Sequence, residues 1–231
     1  MPYLKSQGLI FIAIPKTGST SMTAALRGLC PPGERLQLLN ELIDKAFRQK
    51  YQLDEIGDKK PGRGKHLSAL QAKYILGDEE FNRCIKFSLV RNPWARMVSR
   101  YYFTHIESEP SDTEKTRRGT TRTFHNLTFQ KWVTQQWRAF KVGKKRTSQI
   151  AKLVDAEGNM LVDHVGRLEN VQDTLDWVSE RLDAARVVMP HVNGTRKRGH
   201  YSEIYNDRTC DMVAEICRKD IDYFKYHFEE C

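Results

Sequence analysis

The chain has 231 residues and carries a net charge of +9, because 38 lysines and arginines outnumber 29 aspartates and glutamates. Hydrophobic residues make up 39% of the sequence, which supports a folded core and excludes a chain that is disordered throughout. The longest apolar run covers residues 9–14, far short of the roughly 20 residues that a membrane helix needs. The N-terminus shows no secretory signal either. We therefore expect a complete, soluble protein that forms one domain over residues 1–231.

The basic charge and the cysteines indicate the kind of partner and compartment. An excess of positive charge favours anionic partners such as nucleotides, phosphates, acidic glycans or nucleic acid. The five cysteines are odd in number and never form a CxxC pair, which argues against a disulfide framework and against a structural zinc site. We therefore predict a cytoplasmic protein with no metal centre.

Two segments of the sequence show the same order of strand, turn and helix. The apolar run Leu9–Ile14 predicts a strand buried on both faces, as in parallel sheets. A polar turn separates this strand from a helix over Met22–Leu29. A second strand is predicted over Cys84–Val90, and residues 92–93 then cap and open an amphipathic helix. Both turns lie at strand ends, where the ligands of open α/β sheets gather.

The other predicted elements follow from apolar spacing and from turn residues. Ser68 and Gly77 delimit a helix that ends at Leu76. Further helices are predicted over residues 35–49, 128–137, 170–182 and 209–223, and a third strand over residues 161–165. Residues 107–123 are polar without an apolar period and predict a long loop.

The first turn, residues 15–21, reads Pro-Lys-Thr-Gly-Ser-Thr-Ser and is typical of an anion-binding loop. A helix N-terminus presents unpaired N–H groups and a partial positive charge, and a glycine before it lets an anion approach the backbone. Gly18 permits this approach and Lys16 adds a full charge. Hydroxyl groups are contributed by Thr17, Ser19 and Thr20. The alternative is an ordinary strand–helix turn that is rich in hydroxyls.

This turn differs from the nucleotide-binding loop of Mg²⁺-dependent P-loop enzymes. In the Walker A pattern, GxxxxGK followed by Ser or Thr, the lysine comes directly after the second glycine. Here the order is reversed, because Lys16 precedes Gly18. Those enzymes also hold Mg²⁺ with an acidic residue, while the second predicted strand ends at Arg91. The surplus of cations predicts a polyanionic donor that is bound without a metal ion.

The second turn begins with Arg91 at a strand end and leads into a helix that carries Arg96 and Ser99. Residues three apart share a helix face, and an arginine beside a hydroxyl is a suitable clamp for a terminal phosphate. The alternative is a capped amphipathic helix whose arginines lie in solvent.

Together, the two turns resemble the motifs of the sulfotransferase superfamily. Residues 15–21, PKTGSTS, are similar to its 5′-phosphosulfate loop, and Arg91 with Ser99 is similar to its 3′-phosphate motif. VRNPWARMVSRYY at residues 90–102 and GRLEN at residues 166–170 resemble the carbohydrate sulfotransferases related to the heparan 2-O- and chondroitin 4-O-enzymes and their bacterial relatives. The resemblance extends from Leu9 to Phe228.

The resemblance implies a fold, a donor and a set of residue roles. The implied fold is a three-layer, P-loop-like α/β domain in which helices flank a central parallel sheet. The implied donor is 3′-phosphoadenylyl sulfate (PAPS), which leaves as adenosine 3′,5′-bisphosphate (PAP). Lys16 would stabilise the bridging oxygen as the sulfuryl group leaves, and Arg91 with Ser99 would hold the 3′-phosphate. The 5′-phosphate would be held by Thr17, Gly18, Ser19, Thr20 and Ser21.

The general base has to be sought among the seven histidines. It must lie near the donor's sulfur and titrate near neutrality. His66 ends a glycine-rich loop before a predicted helix, and the resemblance places the base at this position. His105, which follows the helix of the second motif, is the next candidate. The alternative for His66 is a loop or capping residue in solvent.

Two further segments carry charged residues near the predicted strand ends. The resemblance places a basic loop over the nucleotide, and this loop corresponds to Thr195, Arg196, Lys197 and Arg198. A solvated basic loop is the alternative. Glu169 follows the third predicted strand. Its two alternatives are to orient a substrate or to begin a helix, and we favour the second.

Two other functions compete with sulfuryl transfer. A P-loop kinase is disfavoured by the position of the lysine and by the missing acid. A nucleic-acid-binding protein would use the charge of +9, but the basic residues are scattered and no RNP, KH or zinc pattern appears. We therefore predict a PAPS-dependent carbohydrate sulfotransferase whose partner is a hydroxyl-bearing glycan.

Overall fold

The computed structural model describes residues 1–34, 36–39, 66–105, 127–144, 148–190 and 199–229. The chain divides into two compact units. The first comprises residues 1–91 and 149–195, and the second comprises residues 92–148 and 196–231. The single domain predicted over residues 1–231 stays a prediction.

The first unit is built on a five-stranded sheet with the strand order β3-β1-β2-β4-β5. The strands are β1 (Pro2–Leu4), β2 (Leu9–Ile12), β3 (Gln37–Leu38), β4 (Ile85–Val90) and β5 (His164–Arg167). Strands β2, β4 and β5 are parallel, whereas β1 runs antiparallel to both β2 and β3. The predicted central parallel sheet is thus confirmed, with a short antiparallel pairing beside it that the sequence analysis missed.

The helices divide between the two units. The first unit contains α1 (Ser19–Arg27), α2 (Ala69–Leu76), α3 (Asp78–Arg83) and α6 (Val171–Arg181), and the second contains α4 (Pro93–His105), α5 (Phe129–Lys141), α7 (Asp207–Ile216) and α8 (Arg218–Phe224). Among these described helices, none combines the length and the apolar character that crossing a bilayer requires. The cytoplasmic location stays a prediction.

The core of the first unit lies between the sheet and two helices. Every residue of β2 is buried, which fits the continuous apolar run of a strand that is covered on both faces. Phe11 of β2 pairs with Phe87 of β4, and their rings stack with centroids 5.0 Å apart. Helices α1 and α6 add apolar side chains such as Leu26 and Val178 to the same cluster. This packing holds β2 and α1 in one core, so the turn between Ile12 and Ser19 is anchored at both ends.

Local signals in the sequence account for the elements that were predicted well. The Ser68 hydroxyl accepts a hydrogen bond from the Gln71 main chain at 3.2 Å, and the Gln71 side chain accepts one from the Ser68 main chain at 2.8 Å. This capping box opens α2, and Gly77 at φ +80° follows its last residue. Thr128 caps α5 in a similar way through the Lys131 main chain.

Three predicted elements need correction. The helix over residues 35–49 is wrong at its start, because Gln37–Leu38 pairs with β1 as a strand; residues 40–49 lie outside the described residues. The third strand begins at His164 rather than at residue 161. The predicted helix over residues 209–223 is two helices, since the chain departs from helical geometry at Cys217 and α8 starts anew.

The second unit is organised around the start of α4. The buried Asn92 side chain accepts a hydrogen bond from the Trp94 main chain at 3.0 Å, which confirms the predicted cap. The same side chain donates to the main-chain carbonyl of His227 at 2.9 Å. The Tyr205 hydroxyl donates to the Trp94 carbonyl at 3.0 Å. The Asn-Pro-Trp segment therefore fixes the C-terminal segment as well as the helix.

Candidate active site

The predicted site residues of the first unit follow three parallel strands at one edge of the sheet. Strand β2 pairs with β4, and β4 pairs with β5, in a register that places Val90 beside Arg167. The carboxyl ends of parallel strands meet at one edge. Consequently, the turn over residues 15–21, Arg91 and the short 3₁₀ turn Leu168–Asn170 all begin at this edge.

Gly18 is held in a left-handed conformation, and two apolar side chains lie close to the position that its Cβ atom would take. It precedes α1 with φ at +75° and ψ at +17°, in the left-handed region, and no side chain caps the helix at this position. A Cβ atom added to Gly18 would lie 2.7 Å from Cδ1 of Leu168 and 3.1 Å from Cε of Met189. The glycine therefore allows a close approach between the turn and the GRLEN segment.

Lys16 also lies in the left-handed region, with φ at +67°. Such a conformation costs a residue with a side chain about 1–2 kcal/mol, and strained residues of this kind cluster at functional sites. Thr17, between Lys16 and Gly18, has a negative φ. Left-handed residues next to right-handed ones are a feature of the concave nests in which successive main-chain N–H groups bind anions.

Thr17 is buried within the turn and bonds back to its start. Its side chain is fully buried, and its hydroxyl donates to the main-chain carbonyl of Ile14 at 3.0 Å. The one hydroxyl proton of Thr17 is thus engaged with Ile14, and the predicted contact of Thr17 with an anion stays a prediction. Helix α1 opens after Gly18 with Ser19, Thr20 and Ser21, of which the two serines are half-buried and Thr20 is exposed.

His66 is hydrogen-bonded to the chain between β2 and this turn. Its Nδ1 lies 2.8 Å from the main-chain carbonyl oxygen of Ala13. Because a carbonyl oxygen only accepts hydrogen bonds, Nδ1 carries the proton in the neutral ring and Nε2 is the basic nitrogen. The carbonyl of His66 in turn accepts a hydrogen bond from Nζ of Lys152 at 2.9 Å. The predicted base is thus near the anion loop in a tautomer suited to accept a proton.

The main chain of Arg91 is held by a buried side chain. Gln149, which is fully buried, accepts a hydrogen bond from the Arg91 N–H at 3.0 Å and donates one to the Arg91 carbonyl at 2.9 Å. Arg91 itself is half-buried. Ser99, its predicted partner, belongs to α4 in the second unit. Their pairing as a phosphate clamp therefore stays a prediction. Arg96 lies on the same helix, where burial lowers the pKa of its guanidinium.

Most of the other predicted site residues lie outside the described residues, and Glu169 is the exception. Thr195, Arg196, Lys197 and Arg198 lie outside the described residues, as does the side chain of His105. Glu169 is exposed in the 3₁₀ turn before α6, in agreement with its interpretation as a helix start. Within the part of the chain that the structure describes, no three side chains of the metal-binding types come together.

Gln149 and Lys152 were missed by the sequence analysis. Both act on main-chain atoms of residues that are 58 and 86 positions away in the chain. Their own segment, Gln-Ile-Ala-Lys, carries no motif and no unusual charge. Only the folded topology brings them to the strand ends, so no local signal was present to find them.

The fold is that of an α/β protein, and its candidate anion loop, residues 15–21, lies at the carboxyl edge of the parallel strands. The sequence matches the Sulfotransferase family over residues 3–227, nearly the whole chain. The chain therefore belongs to the sulfotransferase family, which confirms the predicted superfamily and its P-loop-like fold. No curated protein and no solved structure matches it. The protein is therefore a transferase of sulfuryl groups. Its family membership favours sulfuryl transfer over the kinase and nucleic-acid-binding alternatives.

Proposed function

We propose that the protein transfers the sulfuryl group of PAPS to a hydroxyl group of a carbohydrate. The observation that carries the proposal is the turn over residues 15–21, in which Lys16 and Gly18 both adopt left-handed conformations before helix α1. A side chain at position 18 would fill the space beside Leu168. In a member of the sulfotransferase family, this cradle fits the 5′-phosphosulfate end of the donor.

The residues of the first unit supply the chemistry that sulfuryl transfer needs. PAPS supplies the sulfuryl group when bound. The main-chain N–H groups that precede α1 bind the 5′-phosphate, and the Lys16 ammonium stabilises the negative charge that develops on the bridging oxygen. His66 accepts the proton of the acceptor hydroxyl at Nε2. Arg91, with Ser99, binds the 3′-phosphate.

The proposal of a carbohydrate acceptor rests on two observations. VRNPWARMVSRYY and GRLEN resemble the carbohydrate branch of the superfamily. The net charge of +9 suits an acidic glycan, because a basic surface attracts polyanions over long distances. The acceptor class is tested by supplying PAPS with either a desulfated uronic-acid polysaccharide or a simple phenol. We expect transfer to the polysaccharide, and transfer to the phenol alone would contradict the proposal.

The donor is tested by calorimetric titration with PAP and with 5′-AMP, which lacks the 3′-phosphate. A charge-assisted hydrogen bond is worth about 1.5–3 kcal/mol, so PAP should bind about 10- to 100-fold more tightly than 5′-AMP. Arg91→Ala should abolish this preference. Arg27→Ala, at an exposed position of α1, is the control and should retain it. Equal affinities of the wild-type protein for the two nucleotides would refute the donor assignment.

A further inference from the structure

We propose that one short turn positions both the donor-binding Arg91 and the base His66. The turn comprises Gln149 and the 3₁₀ helix Ile150–Lys152. Its first residue bonds to the main chain of Arg91, and its last residue bonds to the main chain of His66. The inference deepens the proposed function and rests on it, since it assigns positioning residues to groups that act in sulfuryl transfer.

Gln149 fixes Arg91 through two hydrogen bonds of opposite direction. The amide oxygen of Gln149 accepts from the Arg91 N–H at 3.0 Å, and its amide nitrogen donates to the Arg91 carbonyl at 2.9 Å. The side chain of Gln149 is fully buried, so this paired geometry is protected from competition with water. Arg91 follows the last residue of β4. The amide therefore determines the direction in which the chain, and with it the guanidinium, leaves the strand.

Lys152 fixes His66 from the other end of the same turn. Its ammonium donates to the His66 carbonyl at 2.9 Å, while the imidazole donates from Nδ1 to the Ala13 carbonyl at 2.8 Å. The main chain and the ring of His66 are thus held by different partners. The bond to Ala13 selects the tautomer in which Nε2 is basic, and the bond from Lys152 keeps the ring where that bond can form.

The turn between these two side chains is itself fixed. The main-chain N–H of Lys152 donates to the Gln149 carbonyl at 3.0 Å, and Leu153 donates to the Ile150 carbonyl at 2.9 Å. Ile150 and Leu153 are buried, at 9% and 0% exposure. The distance between the two contacts is therefore set by a hydrogen-bonded, anchored segment. Donor site and base share one support, which suits a reaction that depends on their relative position.

The first arm of the experiment tests Gln149 by the affinities for PAP and for 5′-AMP. Gln149→Leu removes both hydrogen bonds at similar side-chain size. Because Arg91 is assigned to the 3′-phosphate, we expect affinity for PAP to fall by about 10- to 100-fold while affinity for 5′-AMP keeps its wild-type value. If Gln149→Leu does not fold, as judged by thermal unfolding, Gln149→Asn shortens the amide and carries the same test.

The outcomes of this arm separate the inference from the proposed function. A wild-type protein that binds PAP no better than 5′-AMP refutes the proposed donor. A wild-type preference for PAP that survives in the folded Gln149 variant overturns the positioning role alone. An equal loss for both nucleotides also overturns it, because a merely structural role would weaken the whole site.

The second arm tests Lys152 by the tautomer of the His66 ring, which needs neither donor nor acceptor. Nitrogen-15 NMR distinguishes the two neutral tautomers, and His66→Gln identifies the signals. We expect the Nδ1–H tautomer in the wild-type protein, a mixture with the Nε2–H tautomer in Lys152→Met, and recovery in Lys152→Arg. Lys73→Met, on helix α2 of the same unit, is the matched control.

PAP affinity completes the second arm. Lys152→Met should bind PAP as the wild-type protein does, because the Lys152 ammonium holds the main chain of His66, which is assigned to the proton of the acceptor and not to PAP. Retention of the pure Nδ1–H tautomer in Lys152→Met, or a loss of PAP affinity in this variant, would overturn the role assigned to Lys152.

Discussion

Replacing Gly18 with alanine tests whether the anion loop depends on a left-handed glycine in close contact with the GRLEN segment. Gly18 lies at φ +75°, and an added Cβ would meet Leu168 at 2.7 Å and Met189 at 3.1 Å. Alanine at this position would therefore suffer both backbone strain and steric overlap. Either the loop departs from its cradle geometry, or its neighbours move away.

The expected cost follows from these two contributions. A left-handed conformation costs a non-glycine residue about 1–2 kcal/mol. Overpacking costs about 1–3 kcal/mol, and the lower end applies because Leu168 is half-buried and its methyl group is able to shift. We expect Gly18→Ala to lower the free energy of unfolding by about 2–3 kcal/mol. PAP affinity should fall by about 100-fold, since a displacement of one ångström has effects of that order.

The assay combines urea unfolding with calorimetric titration of PAP. Gly33→Ala is the matched control, because Gly33 lies in the same unit at φ +86° with no atom within 4 Å of an added Cβ. This control carries the backbone strain without the overlap. It should lose about 1–2 kcal/mol of stability and retain its PAP affinity.

A double-mutant cycle with Leu168→Ala isolates the overlap. If the contact with Leu168 is responsible, Gly18→Ala should cost less stability in the Leu168→Ala background than in the wild-type protein, with a coupling of about 0.5–1 kcal/mol or more. Wild-type PAP affinity in Gly18→Ala would refute the importance of the close approach. So would equal losses of stability in Gly18→Ala and Gly33→Ala.

Three further predictions concern other residues of the first unit. Lys16→Gly removes both the ammonium and the left-handed strain. Turnover should fall by about 10²–10³-fold, while the free energy of unfolding in urea should rise by up to about 1 kcal/mol. A lower free energy of unfolding would contradict the strain assigned to Lys16. The buried Thr174 hydroxyl has no hydrogen-bond partner within the described chain, so Thr174→Val should stabilise the protein by about 1 kcal/mol in the same assay. Burial against Trp177 lowers the pKa of His164 from its ordinary value of 6.5. As the pH falls, the unfolded chain therefore binds a proton at His164 at a higher pH than the folded chain does. The contribution of His164 to the free energy of unfolding should be complete above about pH 6.5 and decline below it. This dependence on pH should be weaker in His164→Gln.

The elements that the sequence predicted well carry their signals within a few residues. The capping box of Ser68 and Gln71, the cap at Asn92 and the apolar run of β2 each use only neighbours in the chain. Strands β1 and β3 have three and two residues. Strands of this length have no periodicity of their own and form because β1 pairs with both β2 and β3. Their detection requires the tertiary structure.

The same difference between local signals and contacts distant in the chain applies to the candidate site. The candidate anion loop could be recognised in the sequence because its glycine, its lysine and the helix start lie close together in the chain, and its role in binding an anion stays a prediction. The support of that site was not predictable, since the contacts of Gln149 and Lys152 span 58 and 86 positions. These contacts also use main-chain atoms of Arg91 and His66, which have the same chemistry in every residue type.

The left-handed conformation of Lys16 is explained by how firmly its neighbours are held. The buried Thr17 hydroxyl bonds back across Lys16 to the carbonyl of Ile14. Gly18, the next residue, is confined by Leu168 and Met189 and precedes a helix that is packed into the core. These contacts hold the chain around position 16, and the cost of its left-handed conformation is offset by the burial around it. Lys16 thus lies three residues beyond Ala13, whose carbonyl holds the ring of His66. The residue proposed to stabilise the leaving oxygen and the residue proposed to accept the proton are therefore both held by the short segment that follows β2.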